Sequence, residues 1–101
     1  MKLQQFERSL SDPEPPAGLK DALRVLWFDG RGDWEAAHNI AQDMVGQDGA
    51  WLHGFLHRRE GDLPNADYWY RRAGKNRPGV DLEDEWRALV TWFGADRSGP
   101  A

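Results

Sequence analysis

The chain says nearly the same thing twice, and that restricts what it can fold into. Gly32-Asp33-Trp34-Glu35-Ala36-Ala37 is answered 29 residues later by Gly61-Asp62-Leu63-Pro64-Asn65-Ala66. Sliding the sequence by that distance also brings the flanking apolar residues into register. Ala22, Leu23, Leu26 and Trp27 fall on Trp51, Leu52, Phe55 and Leu56, while Trp34, Ala37, Ala41 and Met44 fall on Leu63, Ala66, Tyr70 and Ala73. Steps of three and four residues put each set on one face of an α-helix. The phrase between the stripes has a physical job at each position. Glycine permits a sharp reversal, aspartate caps the returning helix, and a small alanine lets two helices approach closely. The repeat therefore predicts two helical hairpins.

The remaining segments read as helices too. Leu3, Phe6 and Leu10 define a short first helix, ended by Pro13, Pro15 and Pro16, since proline cannot continue a helix interior. Further helices are predicted over about 17–29, 33–45, 50–59, 63–74 and 81–93, with Gly46-Gln47-Asp48-Gly49 as a turn between the hairpins. β-Branched residues are few and period-two alternation is absent, so no strand is expected. The predicted class is all-α, a stack of antiparallel helical hairpins with five to six helices. Residues 1–96 would form one domain and 97–101 a flexible tail.

Composition decides whether such a chain folds. Leu, Ile, Val and Phe number only 19 of 101 residues, near the level at which chains stay disordered. The net charge is only −4, however, and six tryptophans add buried area that the aliphatic count misses. Trp34, Trp51 and Trp86 are expected to be largely buried. With no cysteine, there is neither a disulfide framework nor a thiolate site. No apolar run has signal-peptide or membrane-span length, so no membrane partner is expected and the cytoplasm is the default location. The acidic balance argues against nucleic acid. The stretch Tyr68-Trp69-Tyr70-Arg71-Arg72 interleaves aromatics with cations, but helical spacing turns Trp69 and Tyr70 toward the core.

These features resemble the tetratricopeptide (TPR) family of paired-helix repeats, with a likeness to Sel1-type repeats. The second unit carries most of the resemblance: Gly54 in its first helix, Gly61-Asp62 at the turn, Ala66, Tyr70 and Ala73 in its second helix, and Pro78 closing it. The first unit shares Gly32-Asp33 and Ala37 but has Ala41 where an aromatic is usual. The 29-residue period is also shorter than that family's usual length of about 34. What the resemblance implies is a stack capped by the terminal helices, acting as an interaction module whose partner is a protein or peptide. Homo-oligomerisation stays open.

One helix face carries candidate chemistry. At about 100° per residue, His53, His57 and Glu60 cluster opposite Trp51 and Phe55. The repeat places Arg24 and Phe28 at the positions equivalent to His53 and His57. The plain reading is two partly buried histidines hydrogen-bonded to neighbouring helices; the functional one is that, in a stack, all four line a concave groove suited to a ligand with an apolar and an acidic group. The alternative is a metal-binding or small metal-dependent enzyme site built from His53, His57 and Glu60, because two imidazoles one turn apart can share an ion. Gly54 stands where a zinc protease has its glutamate. No catalytic residue and no cofactor is expected, and His38 reads as a packing residue.

Overall fold

The structure, a computed structural model, describes residues 1–95; the expected tail at 97–101 lies outside them. Six helices occur among the described residues: α1 (Leu3–Ser9), α2 (Asp21–Gly30), α3 (Trp34–Asp43), α4 (Gly46–Glu60), α5 (Leu63–Arg72) and α6 (Leu82–Gly94). No strand occurs among those residues. The all-α class is as expected.

The repeated phrase builds the same corner twice. Gly32 and Gly61 take left-handed backbone angles, with φ of 81° and 89°. Asp33 N–H donates to the Phe28 carbonyl and Asp62 N–H to the His57 carbonyl, each at 2.9 Å, which satisfies an orphan carbonyl at each helix end. The aspartate side chains then accept from Ala36 and Asn65 N–H, at 3.1 and 3.4 Å. The returning helices bury Ala37, Ala41, Ala66 and Ala73 against their partners. Thus α2 pairs with α3 and α4 with α5, while α3 and α4 join the two hairpins.

Two boundaries differ from expectation. Residues 17–20 precede α2: Gly18 has a positive φ and Lys20 is an extended N-cap. Gly46–Gly49 forms the first turn of α4, entered from the extended residues Met44 and Val45 through Gly46, whose φ is 84°. Gly49 serves close approach here. A Cβ at that position would stand 2.7 Å from the Met44 carbonyl oxygen.

Indole N–H groups tie the helices together. Trp27 donates to Ser9 of α1, Trp34 to the Leu56 carbonyl at 2.7 Å, and Trp86 to the Leu26 carbonyl at 2.9 Å. Trp86 is buried as expected, whereas Trp34 and Trp51 are half-buried. A buried ion pair links the hairpins, with Arg59 donating twice to Asp29, at 3.2 and 2.9 Å. A second network joins α4, α5 and α6: Arg58 and Tyr70 both donate to the buried Glu85, at 2.7 and 2.5 Å. Helix α6 thereby lies across α2 and α4, where an open stack would present its groove. The radius of gyration, 13.0 Å, matches a closed globule of this length.

Candidate functional site

Helix α4 is the central element, buried at nearly every position from Gly49 to His57. Its polar face is therefore an internal seam. His53 and His57 are only 7 % and 8 % exposed, which is the buried alternative for this pair and corrects the reading that they line an open groove. The reason is the position of α4 in the stack. The preceding hairpin covers this face with α3, and α5 covers its flank. The equivalent face of α2 has no preceding hairpin.

That asymmetry separates the four residues predicted to line one groove. Arg24 pairs with Asp21 on its own helix at 3.2 Å. Phe28 meets Trp27 edge-on, with ring centres 5.2 Å apart, and packs against the core; it is half-buried, where an exposed ring was expected. None of the ring, ion-pair or hydrogen-bond contacts among the described residues joins Arg24 or Phe28 to a histidine.

The structure gathers instead the only three histidines of the chain. The His38 ring centre, from α3, lies 5.0 Å from that of His53 and 5.5 Å from that of His57, while His53 and His57 are 5.9 Å apart. Two indoles bracket the cluster. Trp34 stacks on His38 at 4.8 Å and Trp69 on His53 at 4.3 Å. Glu60 Oε1 lies 2.6 Å from His57 Nδ1. Burial is the main influence holding the pKa values of His38 and His53 below the usual 6.5. The neighbouring imidazoles push the same way. Glu60 opposes this at His38, and a hydrogen bond to the Gly49 carbonyl opposes it at His53. Both rings are thus favoured in the neutral form, which can stack, accept a hydrogen bond or ligate a metal.

The predicted set His53, His57 and Glu60 is regrouped. Among the described residues, the donor atoms that lie within 4.8 Å of one another belong to His57, Glu60 and Asp62. Asp62 is engaged as the N-cap of α5.

The cluster opens at one side into a cleft of about 460 Å³ between the α3–α4 reversal and α5. Met44, Val45, Ala50 and Trp69 give it apolar lining, and His53 and Arg72 line it too. Val45 is 91 % exposed. The Arg72 guanidinium lies over Trp69, 5.2 Å from the ring centre, and donates to the Tyr68 hydroxyl at 3.0 Å. Among the described residues no carboxylate pairs with Arg72. Helical spacing turns Trp69 toward the core; it carries no signal that Trp69 and Arg72 meet His53 at one cleft, because that meeting is made by tertiary packing. No protein-family model, curated protein or solved structure matches this chain.

Proposed function

We propose that the protein is a TPR-like helical binding module, and that it takes a peptide or small ligand with an apolar group and a carboxylate. The site is the cleft beside α5, rather than a groove along α2 and α4. One observation carries this reading: a guanidinium with no carboxylate partner lies over the Trp69 ring and lines the same cleft as an almost fully exposed valine. Arginine is suited to carboxylates because its planar fork can donate two parallel hydrogen bonds. An exposed valine beside an indole offers apolar area that a ligand can cover. The paired-helix resemblance supports a protein or peptide as the partner class, although fold alone does not assign function.

The test compares an N-acetylated Leu-Leu dipeptide bearing a free carboxylate with its C-terminal amide, followed by tryptophan emission and amide NMR shifts. The carboxylate form is expected to bind with shifts at Val45, Trp69 and Arg72. Arg72→Met, which keeps the aliphatic stem, should weaken it about tenfold or more, the loss of one charge-assisted hydrogen-bonded pair. Equal binding of acid and amide, or an unaffected Arg72→Met protein, overturns the proposal.

A further inference from the structure

The histidine cluster carries a second reading that does not depend on the peptide cleft. Ordinary core histidines are satisfied one at a time by neighbouring polar groups. Here the chain's whole complement of imidazoles meets at one seam, two from α4 at a four-residue spacing and one from α3. Zinc–nitrogen bonds of about 2.0–2.1 Å place the centres of tetrahedrally held imidazoles roughly 5 Å apart. The observed separations are 5.0, 5.5 and 5.9 Å. Two His on one helix face, one turn apart, are also the spacing used by helical zinc sites.

The surroundings of the rings point the same way. A metal-ligating histidine commonly holds its second nitrogen against a carboxylate or backbone carbonyl, which fixes the tautomer. His57 Nδ1 is engaged by Glu60 at 2.6 Å, leaving Nε2 as the ligand. At His53 the Gly49 backbone favours the protonated ring against burial. No fully buried side-chain nitrogen or oxygen lacks a partner among the described residues. Ring nitrogens without a partner are therefore not fully buried, and His53 lines the cleft beside α5. His38 is partly exposed, and to turn inward its ring would leave its stack on Trp34. That turn is required, because the three rings' nitrogens are not yet gathered within 4.8 Å as those of His57, Glu60 and Asp62 are.

We propose that His38, His53 and His57 form a site for a borderline divalent transition metal of the zinc, cobalt or nickel type, with Glu60 orienting His57 from outside the coordination shell. Imidazole ligands suit these ions. Three protein nitrogens leave a fourth position for water.

The experiment is calorimetric titration of the metal-free protein with Zn²⁺, together with Co²⁺ titration followed by its visible absorption. Saturable one-to-one binding is expected, with the intense bands of tetrahedral Co²⁺ and a change in tryptophan emission through Trp34 and Trp69. His38→Ala, at a half-exposed position, should abolish the tetrahedral bands while circular dichroism reports an unchanged helix content. Glu60→Gln should weaken binding by roughly 10–100-fold, as for other outer-shell partners. Asp62→Asn, which preserves the helix cap, should leave affinity unchanged. Absence of saturable binding overturns the proposal. So does binding that survives His38→Ala but disappears in Asp62→Asn, which would locate the ion among His57, Glu60 and Asp62.

Discussion

Gly54→Ala sets two effects of opposite sign against each other. Gly54 lies inside α4, where alanine is intrinsically better than glycine by about 0.8–1.0 kcal/mol. On propensity alone the substitution stabilises. Packing argues the reverse. A Cβ at Gly54 would stand 3.0 Å from Tyr70 Cγ and 3.1 Å from both Cδ atoms, whereas ordinary carbon contacts are about 3.5–4.0 Å. The overlap is therefore roughly half an ångström, across one whole edge of the ring. Tyr70 cannot step aside easily. It is 1 % exposed, and its hydroxyl donates to Glu85 at 2.5 Å, with Glu85 itself held by Arg58 at 2.7 Å. Overpacking of a well-filled core costs about 1–3 kcal/mol. The clash should match or outweigh the propensity gain, for a net loss of about 0–2 kcal/mol.

The assay is urea unfolding by circular dichroism, with the slope checked for constancy. Repeating it in a Tyr70→Ala background, which removes Cγ and both Cδ atoms, separates the two effects. With the ring removed, Gly54→Ala should become neutral or stabilising by up to about 1 kcal/mol, and the coupling between the sites should appear in the double-mutant cycle. Stabilisation by Gly54→Ala in the otherwise unchanged protein would refute the claim that α4 and α5 meet at this glycine.

Two further perturbations test what joins the hairpins. Arg59→Met leaves Asp29, whose side chain is 1 % exposed, as an unpaired buried carboxyl. A loss of about 3 kcal/mol is expected in the same unfolding assay, at the low end for a broken buried pair because Arg59 keeps some contact with water; a change within about 0.5 kcal/mol would show that the pair contributes nothing. The pH dependence has two opposed parts. His38 and His53 titrate below 6.5 when folded, chiefly through burial, so the unfolded chain takes up protons first as pH falls. Their contribution is complete above 6.5 and is lost as pH falls through the folded values. Asp29 is raised above 3.8, first by burial and against the pull of Arg59. Its contribution is complete below 3.8 and is lost as pH rises through its folded value. The urea midpoint should therefore decline between about pH 7.5 and 5.5, and the decline should shrink in His53→Gln. A flat profile across that interval would sink the histidine argument.

The hairpins were legible because the physics behind them is local. A glycine that must take positive φ, an aspartate that caps, and an alanine every third or fourth residue each act within one turn of the chain. Both corners at Gly32-Asp33 and Gly61-Asp62 follow from those residues alone. The misread boundary at Gly46–Gly49 shows the limit of the same signal. Two glycines in four residues look like a turn, yet Gly49 is needed because the Met44 backbone closes on it. A glycine required by a neighbour and a glycine required by its own φ are the same letter in a sequence.

The candidate site was harder to read, because which face of α4 meets water depends on the stack. Helical periodicity placed His53, His57 and Glu60 on one face, and they do share one. It left open whether that face is buried or solvent-facing, since the apolar stripe lay opposite. In a helix surrounded by α2, α3 and α5, the stripe opposite the main core is buried as well, and what covers it is supplied by elements distant in sequence. The repeat made this harder still, by suggesting that Arg24 and Phe28 share the surroundings of His53 and His57. Equivalent positions have equivalent surroundings only when each unit has a neighbour on both sides, and in a two-hairpin stack neither unit does. His38 stacked on Trp34 therefore carried information that its own helix could not reveal. It sits four residues after a tryptophan whose indole N–H donates to the Leu56 carbonyl of α4. That bond seats α3 against the next hairpin and brings the third imidazole to the other two.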